Sequence, residues 1–299
     1  MPSPIHITAG YAFFPIAEER LPILRKELLA FGHARDMRGL TLLATEGVNG
    51  TVCGTAQAIV EWKKYLIAQC GPIVFKDSLA DRTVFKRWSV KIKPEIVAIK
   101  KDSVKPKGKR KHLSPQEWQK MLQNHDVTVI DTRNHFEIEV GKFRGAIDPK
   151  IQQFSEFPEY VRTSKIPKGK KILLYCTGGI RCEKALIAME QEGYKNVFQL
   201  EGGILAYLQQ FPECAFEGEC FVFDRRTAVD QHLCPSQIYG ICPHCGDPGT
   251  VKIACTMCEH QTMVCQECNT QQHRRTCSKN CAYVERRRSN LVQGKRNGT

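Results

Sequence analysis

The sequence predicts an α/β protein assembled from three successive parts, and three observations carry that reading. Residues 10–99 alternate strand-like and helix-like stretches in the order βαββαβ. The middle region sets continuous apolar strands between helices. The segment from 224 onward has no Phe or Trp and carries eight cysteines in close pairs. At 299 residues the chain is long for one core and comfortable for two or three smaller ones.

In the first part, Tyr11-Ala12-Phe13-Phe14 reads as a short strand, and Leu21 to Leu29 has apolar residues at helical spacing. Leu40 to Ala44 is a buried-strand run with Thr51-Val52-Cys53 as its expected hairpin partner. Between them lies Gly47-Val48-Asn49-Gly50, whose Asn-Gly pair predicts the tight turn. A second helix over 56–69 presents Ile59, Trp62, Leu66 and Ala68. Two strands follow, Ile73-Val74-Phe75 and a longer one from Phe85 to Ile99. This order describes a ferredoxin-like (acylphosphatase-like) domain over 1–99, with helices on one face of an antiparallel sheet.

Residues 100–112 read as a basic linker, with Lys100, Lys101, Lys105, Lys107, Lys109, Arg110 and Lys111 around Pro106 and Gly108. Ser114-Pro115-Gln116-Glu117 is a capping box with proline at the first helical position. It opens a domain over 113–213 with strands at Val127–Ile130, Lys171–Tyr175 and Val197–Leu200 and a helix from Glu183 to Gln191. Apolar strands between helices imply a parallel sheet covered on both faces.

Cys176 follows the strand Lys171–Tyr175 directly, in Cys176-Thr177-Gly178-Gly179-Ile180-Arg181 before a helix. A thiolate at such a turn faces backbone N–H groups and a helix N-terminus, which lowers its pKa. The glycines let the backbone curl round the sulfur, and Arg181 adds positive charge. Cysteine phosphatases separate cysteine from arginine by five residues so that the loop encircles phosphate. Here four residues intervene, which favours sulfur as the bound group, so Cys176 and Arg181 are the catalytic candidates. Loss of Arg181 is expected to be milder than loss of Cys176, because the backbone cradle remains. Cys182, on the first helical turn, either packs or resolves a persulfide.

The final region is taken as 214–299, and from 224 onward it is too poor in apolar residues to fold unaided. Cys242 and Cys245, Cys255 and Cys258, Cys265 and Cys268, and Cys277 and Cys281 form four knuckles, enough for two structural zinc ions held by four thiolates each. Spacing leaves open whether neighbouring or alternating knuckles share an ion. Cys214, Cys220 and Cys234 stand outside them. The net charge of +13 points to a polyanion such as nucleic acid. The linker, Arg274, Arg275, Arg286-Arg287-Arg288 and Lys295-Arg296 are the candidate phosphate contacts. No apolar run approaches the roughly 20 residues of a membrane span, and no secretory signal opens the chain, so a cytoplasmic protein is expected.

The residues also carry a resemblance. Val129 to Arg133, Glu137 and Gly141 to Ile147 look like the first half of the rhodanese pattern, Cys176 to Arg181 like its active loop, and Leu200 to Ile204 like its closing motif. With Thr45 to Val52, Phe85 to Ile99, Leu113 to Trp118, Tyr175 to Ala185 and Glu219 to Asp224, nearly the whole chain resembles the rhodanese-domain tRNA uridine hydroxylases. That resemblance implies oxygen-dependent 5-hydroxylation of the wobble uridine in the tRNA anticodon stem-loop, with a persulfide on Cys176. Molecular oxygen is then a co-substrate. Neither an electron source nor a sulfur donor can be assigned from the residues, because no nucleotide, flavin or iron-binding signature is present. A plain sulfurtransferase acting on a small thiophile or protein acceptor is the alternative, but it needs neither the first domain, the knuckles nor the charge. A non-catalytic RNA-binding scaffold is disfavoured by the intact Cys176.

Overall fold

Leu21, Leu24, Leu28 and Gly32 recur at helical spacing, and Ala58, Ile59, Trp62, Leu66 and Cys70 do the same. Those two apolar stripes dictate how the first domain packs. The protein is described by a computed structural model covering residues 4–106, 110–123 and 126–296. Lys107, Gly108 and Lys109 of the linker lie outside the described residues, as do the side chains of Lys295 and Arg296.

The first domain runs β1 (Ile5–Phe13), α1 (Arg20–His33), β2 (Arg38–Ala44), β3 (Gly47–Gly54), α2 (Ala56–Cys70), β4 (Val74–Ala80) and β5 (Trp88–Ile92). The sheet order β4-β1-β3-β2 is the antiparallel ferredoxin-like core, and β5 adds to its edge parallel to β2. Both helices bury their stripes against Leu43, Val48, Val52 and Val90. Trp62 and Trp88 meet edge to face at 5.3 Å. Gly32 is obligatory there, since a Cβ would stand 2.2 Å from the Trp88 ring. Thr55 caps α2 by accepting from the Ala58 N–H.

Several expectations need correction. The strand expected at 11–14 is nine residues long and starts at Ile5. The strand expected from Phe85 to Ile99 is confined to Trp88–Ile92. In α2, Ala68 is exposed, while Ala58 and Cys70 complete the buried stripe. The turn does not use the Asn-Gly pair: Ala44 pairs with Gly47, which leaves Thr45-Glu46 as the turn, and Asn49 and Gly50 sit in β3 opposite Leu42 and Thr41. Gly47 holds φ +144°, and a Cβ on it would lie 2.0 Å from the Ala12 carbonyl, so close strand approach decides the register. The Asn49 amide instead donates to the Ile96 carbonyl at 3.1 Å, and Glu46 accepts from the Ile96 N–H.

The second domain continues with β6 (His112–Leu113), α3 (Pro115–Leu122), β7 (Val127–Asp131), α4 (His135–Ile138), β8 (Gly141–Phe143), α5 (Phe157–Thr163), β9 (Lys171–Tyr175), α6 (Ile180–Gln191), β10 (Val197–Leu200), α7 (Gly203–Leu208) and β11 (Phe216–Gly218). Its sheet, β6-β10-β9-β7, is parallel throughout. Ile172 to Tyr175 are fully buried, as a sheet covered on both faces requires. The capping box at Ser114 and Glu117 forms as expected. Arg133, wholly buried, is forked onto Asp131 and donates to the Gly141 and Glu137 carbonyls, fixing α4 and β8 to the end of β7.

The linker is not free chain where it is described. Ile99 and Val104 are buried in the core of the second domain. Arg110 and Lys111 pair with Glu190, and Lys101 with Glu192, all on or beside α6. Lys184 locks the two domains together: its buried ammonium donates to Glu46, Glu95 and the Val97 carbonyl at 2.9, 2.5 and 2.9 Å. Three donors meet three acceptors, so the buried charge is fully satisfied.

The chain divides into two compact units, one of Met1–Phe221 with Asp230–Cys234 and another of Val222–Val229 with Pro235–Thr299. Residues 216–218 pair with β8, so the cysteine-rich unit starts later than residue 214. It contains the hairpin of Val251–Ala254 with Gln261–Val264 and a closing helix, Lys279–Arg296. Its small core consists of Cys242, Ile253, Val264 and Cys268.

Candidate functional site

Cys176 leaves the end of β9 into a loop that α6 closes, and the loop's conformation follows from its glycines. Gly179 takes φ +99° and donates its N–H to the Cys176 Sγ at 3.1 Å. A Cβ there would also stand 2.9 Å from the Tyr11 hydroxyl of the first domain. The loop is backed by the closing motif, where Ile204 and Leu205 donate to the Cys176 and Thr177 carbonyls. Gly203 allows this approach, since a Cβ would be 2.5 Å from the Cys176 carbonyl.

Cys176 is fully buried. Burial pushes its thiol pKa up. A hydrogen bond from Cys182, the Arg181 charge, and the backbone N–H groups of Arg181 and Cys182 outweigh that and bring it down to about 6. Cys182 responds in the opposite sense: burial, and then the neighbouring sulfur, hold it well above the ordinary thiol range. It therefore serves as a donor to Cys176, 3.6 Å from the Thr132 hydroxyl.

Arg181 is not the isolated positive charge that the spacing suggested. Its guanidinium is forked onto Glu137 at 2.5 and 2.8 Å, and Glu137 is fully buried. Burial pushes the Arg181 pKa down, and the Glu137 carboxylate more than restores it. The pair thus delivers a damped field to the sulfur and pins α4 to the loop. Glu137 stood in the sequence motif without a role, and a buried fork of this kind has no local signature.

Other residues at this site were missed altogether. Glu183 accepts from the Tyr11 hydroxyl and the Gln199 amide and lies against His112 Nε2, each at 3.0 Å. Lys76, on the edge strand β4, is only 7% exposed and holds its ammonium 4.6 Å over the Tyr11 ring. These residues border a cavity of about 220 Å³ beside the Cys176 loop, which Glu201 and Gly202 also line. In the sequence Lys76 reads as an ordinary exposed strand lysine.

The eight knuckle cysteines gather into two sets, Cys242, Cys245, Cys265 and Cys268, and Cys255, Cys258, Cys277 and Cys281. Alternating knuckles are therefore paired, settling the choice that spacing left open. Within each set all four sulfurs lie within 4.8 Å of one another. Cys245 and Cys265, and Cys258 and Cys277, are each 3.5 Å apart. Tetrahedral thiolates at ~2.3 Å from zinc stand roughly 3.7 Å apart, so the donor sets fit such an ion. Each cluster can hold a metal ion. Arg274 donates one N–H to the Cys268 sulfur at 3.4 Å, beside the candidate metal cluster. His244 Nε2 bonds to the Thr276 carbonyl.

Family models match the chain in the same order: a UPF0176 acylphosphatase like domain at 5–96, a Rhodanese-like domain at 114–210 and a Rhodanase C-terminal region at 217–282. Relatives named tRNA uridine(34) hydroxylase include one from Bdellovibrio bacteriovorus, 43% identical over 93% of this chain and 81% of that protein. One from Deinococcus radiodurans is 38% identical over 89% of each. One from Synechocystis sp. is 44% identical over 73% of this chain and 80% of its own length. Similarity of this extent, spread across all three regions, means that the chain belongs to the tRNA uridine(34) hydroxylase family.

Proposed function

We propose that this protein hydroxylates uridine 34 of tRNA at C5, with molecular oxygen as co-substrate and a persulfide on Cys176. The observation that carries the reading is the Cys176 cradle: a buried sulfur whose thiol is brought down to about 6, with a backbone N–H at 3.1 Å. A thiolate so held attacks the sulfane sulfur of a donor such as thiosulfate, forming the persulfide and releasing sulfite. The same N–H groups then favour the terminal sulfur anion. Arg181 acts with Glu137 to hold the loop and bias its charge. Inserting one oxygen atom into the C5–H bond while the other leaves as water consumes two electrons, which a separate donor must supply.

In this reading residues 1–99 roof the site, 100–112 tether that roof, the domain from 113 carries the sulfur, and the cysteine-rich unit that begins at Val222 is the metal-held region. Two zinc ions, one per cysteine cluster, would organise that last region. The anticodon stem-loop is the proposed partner, supported by the net charge of +13 and by the exposed Arg275 and Arg286 to Arg288. No helix among the described residues is long and apolar enough to cross a membrane. The cytoplasm is the expected compartment for such an enzyme.

Nucleoside mass spectrometry of tRNA from cells with and without the protein tests the proposal, together with a Cys176→Ser strain. 5-Hydroxyuridine present only with intact Cys176 supports it. Unchanged 5-hydroxyuridine in the deletion would leave sulfur transfer to a thiol acceptor as the reading of the same loop.

A further inference from the structure

A lysine with so little exposure that makes no hydrogen bond to the protein calls for an explanation, because buried polar groups are ordinarily partnered. Lys76 is 7% exposed, and among the described residues its ammonium has no hydrogen-bond or ion-pair partner, only the face of Tyr11 at 4.6 Å. It lines the cavity beside the Cys176 loop. Burial draws its pKa down to about 8, while Cys176, Glu183 and Glu201 each favour the charged form. Lys76 therefore faces the cavity as a donor awaiting an acceptor.

The cavity narrows the occupant. Its volume, about 220 Å³, falls below the roughly 300–1,000 Å³ of clefts that hold drug-sized ligands, so it suits a single ring. Tyr11, Phe13, Pro72 and Val74 supply flat or apolar walls. Glu183 is already engaged by Tyr11, His112 and Gln199, which leaves the Lys76 ammonium and the buried His112 Nδ1 as polar groups of the lining without a hydrogen bond among the described residues, and of the two only the ammonium is a donor whatever the tautomer.

We propose that this cavity receives the extruded uracil ring and that Lys76 selects uracil over cytosine by donating to the carbonyl oxygen O4. The proposal rests on the tRNA reading above and adds the specificity determinant. Uracil presents an acceptor at that position, whereas cytosine presents an amino group, a donor facing a donor. Sites built around a hydrogen bond reject analogues that cannot make it, since the protein group is then left unpaired. Extruding the base from a single-stranded loop costs little, so ring recognition at the bottom of a cavity is accessible to an anticodon nucleotide.

The test measures binding of anticodon stem-loop RNAs carrying uridine, cytidine or 4-deoxyuridine at position 34 to the full-length protein by fluorescence anisotropy. The wild-type protein should favour uridine over both analogues by roughly 10- to 100-fold, the range expected for a hydrogen bond to a charged donor. In K76M and K76Q that preference should collapse to within about threefold, because methionine donates nothing and glutamine can either donate or accept. Residual affinity, carried by phosphate contacts, should persist in both. Thermal melting identifies a variant that fails to fold, in which case the other decides. Either folded variant keeping the wild-type preference overturns the role of Lys76. A wild-type protein indifferent to the base at position 34 overturns the tRNA reading as well, and so the two failures are told apart.

Discussion

Glu137→Met should destabilise the protein more than any surface change, and the structure gives the size of the effect. Glu137 is fully buried and makes both hydrogen bonds of a forked pair with Arg181, at 2.5 and 2.8 Å. Removing one partner of such a pair leaves the other charge buried without compensation, at a cost of about 3–5 kcal/mol. Removing both should be far cheaper, since Met at both positions fills similar volume without buried charge. E137M alone should therefore cost about 3–5 kcal/mol, and E137M/R181M together less than E137M alone. R181M leaves a buried carboxylate that can take up a proton. Urea unfolding of the three variants, with free energies from midpoint shifts and m-values, reads the cycle. A cost below about 1 kcal/mol for E137M, or a double variant costing the sum of the singles, would refute the argument.

Three further outcomes are expected. The thiolate absorbance of wild-type minus Cys176→Ser protein should rise as pH increases through about 6; a midpoint near the ordinary thiol value of roughly 8.5 would mean the cradle does not favour the anion. Metal analysis of protein purified without chelator should return two zinc ions per chain, and chelation should melt the cysteine-rich unit; a zinc-free, folded unit would sink that assignment. Changing Arg286, Arg287 and Arg288 to Gln should flatten the log–log salt dependence of tRNA binding by about 2–3, at roughly 0.7–0.9 per phosphate contact. Changing Arg110 and Lys111 should matter less, because Glu190 already engages both; the reverse order would restore the linker as the principal contact.

What the sequence determined by itself was whatever local chemistry writes in short stretches. Hydrophobic period marked α1, α2 and the buried strands of the parallel sheet. The capping box at Ser114 and Glu117 announced α3, and the glycines after Cys176 announced a loop curled around sulfur. Cysteine spacing announced two metal-sized thiolate sets. Tertiary structure decided the rest, because it depends on groups distant in the chain. The Asn49-Gly50 pair carries a strong local turn preference, yet the close approach of Gly47 to Ala12 and the fastening of Asn49 to Ile96 put it inside a strand. Arg181 looked like free charge until Glu137, 44 residues away, was found forked onto it. The linker reads as a spacer in the sequence, whereas in the structure Val104 enters the core and Glu190 pairs with Arg110 and Lys111. Lys76 gained its meaning only when the first domain was laid against the Cys176 loop. A lysine's electrostatic role is set by what desolvates it and what faces it, and neither is written beside it in the sequence.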